Sequence, residues 1–429
     1  MLEILSDYKL NIDRIHAVSS SSHDASLYER VDTIKRRVIS DKDSALKEYA
    51  QQFDRVKNDF NLKVSDEEFS KAYSLVPNEF VEALKRAHSN IQEFHTYQQP
   101  VNSHYQPNAN IEYGLRYTPL ERAGLYVPGG QAAYPSSVLM DIIPAKIAGV
   151  KQIVVVTPPQ PDGSIPPQTL VAADICGIRS VYKVGGAQAV FALAYGTETI
   201  PKVDKIVGPG NKFVTLAKQM VYGEVDIDKP AGPSEALIYI DKLEYAAYAA
   251  AELLAQLEHD PDCSGVIVSE SQDILKAVQT ELTTQFPKCK RQSILKQSLN
   301  QALLLLAKDK DEAIEIIDYV ASEHFVILSD QDQLIFDKTH NCSSVFLGPY
   351  TPVALGDYYA GPNHVLPTSG TARFSSGLSV IDFLKRQSVI KISKSGIERL
   401  GPSVINLANY ENLHGHAASI KMRIKKGYI

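Results

Sequence analysis

Residues 124–159 read GLYVPGGQAAYPSSVLMDIIPAKIAGVKQIVVVTPP, and their grammar decides the fold. A short apolar run ends in Pro-Gly-Gly, a helical stretch follows over SSVLMDIIPAKIAG, and a second run, QIVVVTPP, closes on two prolines. Strand, helix and strand in this order form a crossover unit whose two strands lie parallel in one sheet. The pattern continues through PQTLVAADICG, SVYKVGG, AQAVFALAYG and DKIVGPGN. It returns after AGPSE, where ALIYID, GVIVSE, ALLLLA, FVILS and SVFLG alternate with four amphipathic segments ending at AQLEH, TTQF, ASEH and FDKT. Two α/β domains follow, each with helices on both faces of a parallel sheet, and an internal duplication would relate them.

On the N-terminal side the signals are helical. Ser65 and Glu68 form a capping box ahead of FSKAYSLV. Phe80, Leu84, Ala87, Ile91 and Phe94 recur at helical spacing through NEFVEALKRAHSNIQEFH. His95 lies beside that stripe, where packing or surface exposure outweighs a ligand role. The tail after Ser379 reads as partly helical and ends basic at Lys421, Arg423, Lys425 and Lys426. It is too short to build a core alone. The expected organisation is an N-terminal helical region over 1–105, α/β domains over 106–235 and 236–378, and a tail over 379–429.

The 429 residues, 44% hydrophobic and 22% charged, are ordinary for a globular chain. A net charge of −6 gives no electrostatic reason to expect nucleic acid or an anionic membrane. MLEILSDYKL lacks the basic and apolar regions of a signal peptide, and no apolar run reaches the roughly 18 residues that span a bilayer. Cys176, Cys263, Cys289 and Cys342 are widely spaced and form no CxxC, so neither a disulfide framework nor a thiolate zinc site is signalled. A cytoplasmic, reduced setting is expected.

Three features could carry chemistry. GPGNKF, from Gly208, and GGAQAV, from Gly185, each follow a strand and open a helix. Each can present backbone N–H groups to an anion, and each is equally the tight turn such a junction needs; Phe213 replaces the third glycine of a dinucleotide fingerprint. Gln256 and His259 lie three residues apart near a helix end and share a face, while Asp357 and His364 lie in a later loop and His416 in ENLHGHA near the C-terminus. Imidazole, carboxylate and amide oxygen suit a borderline cation such as zinc, although helix-end histidines more often serve as dipole partners. Glu323 and His324, in ASEHF, are potential proton carriers at a helix-to-strand junction, where both could face a cleft at the sheet's carboxyl edge. Residues 356–376, GDYYAGPNHVLPTSGTARFSS, form a long aperiodic loop, and such loops are usually functional.

Together RAGLYVPGG, VGGAQAV, VDKIVGPGNKFV, KPAGPSEAL, ASEHF and GDYYAGPNHVLPTSGTARFSSGLSV resemble the histidinol dehydrogenase family, in matching order from about Glu29 to Arg423. The resemblance implies two incomplete Rossmann-like parallel-sheet domains and a C-terminal tail domain exchanged in a homodimer with shared active sites. It implies oxidation of L-histidinol through L-histidinal to L-histidine, with two NAD reduced and one zinc per subunit. Carried over by position, Gln256, His259, Asp357 and His416 would be the zinc ligands, the last from the partner chain. Glu323 and His324 match the catalytic pair. Ser234, His364 and Glu411 match further substrate contacts, and Tyr126, Gln188 and Asn211 match the NAD contacts. The family's Glu-Gly-Leu reads Glu411-Asn412-Leu413 here, and the extra His414 is taken as a bystander because His416 keeps the five-residue separation.

Two other activities compete. A related NAD- and zinc-dependent dehydrogenase of another alcohol would share fold and cofactors. A metal-dependent hydrolase would use His414-Gly415-His416 as an HxH pair, but that family places HxH before a barrel, and almost nothing follows it here.

Overall fold

The computed structural model describes residues 2–12, 14–15, 25–57, 59–129, 133–229 and 232–424. Gly130, Pro230 and Ala231 of the quoted signatures, and Lys425 and Lys426 of the basic end, fall outside them. The strands along the chain are β1 (Ile4–Ser6), β2 (Ser103–Asn108), β3 (Ile111–Pro119), β4 (Arg122–Tyr126), β5 (Gln152–Thr157), β6 (Val181–Lys183) and β7 (Lys205–Val207). They continue as β8 (Asp226–Ile227), β9 (Glu235–Ile240), β10 (Ser264–Ser269), β11 (Ala302–Leu306), β12 (His324–Leu328), β13 (Ser344–Leu347) and β14 (Leu384–Ile392).

One parallel sheet runs β6-β5-β4-β7-β8 and a second runs β1-β11-β10-β9-β12-β13. Numbered within its own half, each sheet has the order 3-2-1-4-5, and β1 adds a sixth strand to the second sheet outside β11. That shared order is the topological mark of the duplication the sequence suggested. Strands buried on both faces need continuous apolar runs, and β5, β9 and β10 supply them as IVVV, ALIYI and GVIVS. Helices Pro135–Ala148 and Gly186–Tyr195 are apolar almost all round, as helices in the middle of a large core must be.

The α/β core and the N-terminal helices form one compact unit over 1–98 and 120–383, while 99–119 and 384–429 form a second, smaller unit. The sequence boundaries need three corrections. Ile4–Ser6 is a strand paired with β11, so the N-terminal region is not purely helical. Segment 106–119 belongs with the tail, because β3 pairs antiparallel with β14 along all nine residues. The tail thereby gains the partner it needed, a three-stranded β14-β3-β2 sheet beside helices Lys394–Tyr410 and His414–Ile424.

In the helix Asn78–Thr96, Leu84, Ala87 and Ile91 are buried as expected. Val81 and His95 join them, whereas Phe80 is half-buried and Phe94 exposed. The apolar stripe is rotated by about one residue. The capping box forms: Glu68 N–H donates to Ser65 Oγ at 3.3 Å and Ser65 N–H to Glu68 Oε2 at 2.9 Å. The aperiodic loop at 356 opens with a π-helical turn, Gly356–Ala360. No helix among the described residues is long and apolar enough to cross a membrane.

Candidate active site

Helix Lys310–Val320 ends at Ala321, whose φ of 51° turns the chain directly into β12. Glu323 therefore stands just before β12 and His324 opens it, at the amino edge of the second sheet. The expectation of a carboxyl-edge cleft is corrected: a side chain at a helix-to-strand junction lies where the strand begins. The parallel register sets His324 against Ala236, which brings the start of β9 alongside. Both side chains are buried. His324 Nδ1 lies 3.3 Å from the Glu235 carbonyl and 3.5 Å from Glu323 Oε2. Its Nε2 lies 3.5 Å from Asp357 Oδ1 and has no hydrogen-bond partner. Glu323 Oε2 accepts from Glu235 N–H at 3.0 Å.

Burial pushes the Glu323 carboxyl up to about 7, against the pull of the neighbouring imidazole. Burial alone would lower His324, yet Glu323 and Asp357 outweigh it and hold the imidazole above its ordinary range. Asp357 is half-buried, and the surrounding imidazoles keep its carboxyl below the usual value, so it stays ionised. A carboxyl that titrates near neutrality beside an imidazole gripping its proton can move protons in either direction.

The π-helical turn carries Asp357 to this pair, and its carbonyl accepts from His364 Nδ1 at 2.9 Å. That leaves His364 Nε2 as acceptor for the Ser137 hydroxyl at 3.2 Å. Burial lowers His364, which is therefore neutral. The neighbouring Asn363 is fixed by its Nδ2, which donates to Met140 O at 2.7 Å and faces His95 Nε2 at 3.2 Å. His95 thus packs, as expected, and supports the loop from below.

Gln256 lies in the last turn of helix Ala246–Leu257, and His259 falls two residues past its end. Burial lowers His259, leaving its nitrogens available, and the Asp357 carboxylate acts on it as well as on His324. Gln256 is buried with its Oε1 unpartnered. An orphaned amide oxygen, a neutral imidazole and an ionised carboxylate are a donor set that suits zinc. Among the described residues there is no group of three or more His, Cys, Asp or Glu that could hold a metal ion. Ser234 is half-buried just before β9, and its carbonyl accepts from Ser264 N–H at 3.2 Å. Glu411, His414 and His416 lie on the smaller unit, all exposed.

The proposed cofactor residues collect at the carboxyl edge of the first sheet. Tyr126 ends β4, buried, and its hydroxyl accepts from Gly186 N–H at 3.1 Å. Gln188 folds over the start of its helix, close enough that a Cβ on Gly186 would lie 2.7 Å from its Oε1. Asn211 caps the next helix, accepting from Phe213 and Val214 N–H at 3.0 and 3.2 Å. Two glycine turns and two helix N-termini at the edge of a 3-2-1-4-5 sheet are a place for an anionic cofactor. All four cysteines are free, and burial pushes Cys176, Cys263 and Cys342 up to about 12, which leaves no thiolate nucleophile among these three.

The structure therefore brings Glu323, His324, Asp357, His364 and His259 into one neighbourhood, with Gln256 about one helical turn before His259. Three further residues that touch this group carry no signal in the sequence that marks them as part of it. Glu235 and Ser137 carried no local signal, since one opens a strand and the other sits in an apolar helix. Asn363 lay in the loop next to a residue that had been singled out.

Residues 18–424 match the family model described as histidinol dehydrogenase. A histidinol dehydrogenase of Methanothermobacter thermautotrophicus is 47% identical over 384 residues, 89% of this chain and 90% of that protein. One of Bacillus cereus is 43% identical over 99% of both chains. The crystal structure of histidinol dehydrogenase from Elizabethkingia anophelis superposes with a TM-score of 0.94 at 35% identity, covering 99% of this chain and 98% of that one.

Proposed function

The chain belongs to the histidinol dehydrogenase family and is an oxidoreductase, and on that premise we propose that it oxidises L-histidinol through L-histidinal to L-histidine, reducing two NAD. The observation that carries this reading is the buried Glu323–His324 pair, with the unpartnered His324 Nε2 facing Asp357.

His324 Nδ1–H donates to the Glu235 carbonyl, so once the imidazole has given up the extra proton that Glu323 and Asp357 favour, Nε2 is the free nitrogen and the base. In the first step Nε2 takes the proton of the substrate hydroxyl while hydride leaves the carbinol carbon. Glu323 then takes a proton from water as it adds to the aldehyde carbon, while the His324 imidazolium returns its proton to the former carbonyl oxygen, giving the hydrate and restoring the base. His324 takes a proton from a hydrate hydroxyl as the second hydride departs, leaving the carboxylic acid, which loses its proton to water as the carboxylate. Tyr126, Gln188 and Asn211 would hold NAD, which would supply the hydride acceptor for each oxidation. Gln256, His259 and Asp357, with His416 from the partner chain, would hold one zinc ion per subunit, which would supply positioning and polarisation without redox change. Ser234 and His364, with Glu411 from the partner, complete the grip on an imidazole-bearing amino alcohol. The homodimer with shared sites and a cytoplasmic setting belong to the same proposal.

The test is a coupled assay of histidine formed and NAD reduced, with zinc present and after chelation. The expected outcome is two reduced NAD per histidine, lost on chelation and restored by zinc. Hydrolysis of an ester or amide with no change in NAD would favour the metal-dependent hydrolase, and a faster rate on another alcohol would favour the related dehydrogenase.

A further inference from the structure

The segment 228–235 joins the two α/β halves, and it is fastened to the loop that carries Asp357 and His364 at three described positions. Lys229 Nζ donates to Val365 O at 3.3 Å, Gly232 N–H donates to Thr368 Oγ1 at 2.6 Å, and Ser369 N–H donates to Glu235 Oε1 at 2.7 Å. The last of these differs from the others in what stands behind it. Glu235 also presents its own N–H to Glu323 Oε2 at 3.0 Å and its carbonyl to His324 Nδ1 at 3.3 Å. One residue thus touches both members of the catalytic pair with its main chain and the loop with its side chain.

Nothing in the proposed chemistry uses the Glu235 carboxyl, yet it is buried and its second oxygen, Oε2, has no partner. A buried, half-satisfied carboxyl is costly and is best tolerated as the neutral acid. Burial, reinforced by the neighbouring Glu323, accordingly pushes Glu235 up to about 8. What it holds is itself under strain. Ser369 has a φ of 57°, in the left-handed region that a residue with a Cβ avoids without support.

We propose that Glu235 is a positioning residue for the oxidation, holding the 363–369 loop, and with it His364, in fixed register against Glu323 and His324. This rests on the reading of that pair and of His364 given above. Because the main-chain contacts survive any side-chain change, substitution separates the loop anchor from the support of the catalytic pair.

Three variants test it. Glu235→Gln keeps a carbonyl oxygen within reach of Ser369 N–H and should stay within about threefold of wild type in KM for histidinol. Glu235→Ala removes the acceptor, and Glu235→Asp withdraws it by one methylene. Each should raise that KM about ten- to a hundredfold, the scale of one buried hydrogen bond, with the KM for NAD unchanged. Faster amide exchange confined to 363–371 should accompany the rise. If Glu235→Ala does not fold, Glu235→Asp carries the same expectation.

The idea is overturned if Glu235→Asp keeps the wild-type KM, if the Gln variant is as impaired as the Asp variant, or if melting temperature falls with no change in KM. A wild-type protein inactive on histidinol would instead sink the activity itself, so the two failures are distinguishable.

Discussion

His324 has its two ring nitrogens in different company, Nδ1 against the Glu235 carbonyl and Glu323, Nε2 against Asp357 with no hydrogen bond. An amide at this position can keep a donor on the Nδ1 side but offers no base on the other. His324→Asn should therefore leave zinc content and NAD affinity intact while kcat falls at least about a hundredfold; a variant with near-native turnover would remove His324 as the proton carrier. The pair was visible in ASEHF, but its partners were not. Glu235 and Ser137 gain meaning only when a sheet register and a helix packing bring them to residues far along the chain. Asp54 was equally silent in the sequence, since one acidic residue after a helix looks like surface. Its Oδ2 is buried and unpartnered, and burial pushes the carboxyl up from 3.8 to about 7. An acid raised in the folded state contributes stability that is complete below pH 3.8 and disappears as pH rises through about 7. Asp54→Asn keeps the shape without the charge. In urea denaturation the variant should exceed wild type by about 1–3 kcal/mol at pH 8, with the gap closing as pH falls below about 4.

Between β7 and the helix Lys212–Val221, the turn Gly208-Pro209-Gly210 is held from beneath by ions rather than by apolar packing. Gly208 N–H donates to Asp228 Oδ2 at 3.0 Å, its carbonyl accepts from Lys218 Nζ at 2.9 Å, and Lys218 pairs with Asp228, all out of water. At a φ of 114° a Cβ on Gly208 would lie 2.1 Å from the Tyr126 carbonyl oxygen. Gly208→Ala must therefore push β4 and β7 apart or break the turn. A loss of about 3 kcal/mol or more in urea denaturation is expected, together with weaker NAD binding. A fully stable variant would show that the turn tolerates another path. Glycine at such a turn is legible in sequence, as were the parallel strands, because two-sided burial writes an uninterrupted apolar run. Other elements left no such mark. Every residue of β2 is exposed, and β14 is exposed from Lys385 to Ile392, so neither strand alternates inside and outside and no period of two is written. β1, three residues long, is too short for any period. These are the strands whose absence misplaced the 105/106 boundary and made the tail look unable to stand.

At the scale of the whole molecule, the smaller unit is built on a sheet with little to bury. It leaves Ile390, Leu407 and Tyr410 exposed at 66%, 65% and 83%. Exposed apolar side chains of this kind suit an interface, and under the proposed activity a second copy of this chain would cover them. If the tail of one chain completes the site of the other, His416 and His324 of one polypeptide serve different sites. Co-expressed His324→Asn and His416→Asn chains then form mixed dimers in which one site receives both substitutions and the other neither. With random pairing half the dimers are mixed and each has one intact site, so the population should recover about a quarter of the wild-type rate, although either variant alone is inactive. A site completed within one chain gives the opposite result, because every subunit then carries one disabling change and no pairing repairs it. Rates of NAD reduction measured on the co-expressed protein, with subunit composition checked by native mass spectrometry, decide between the two.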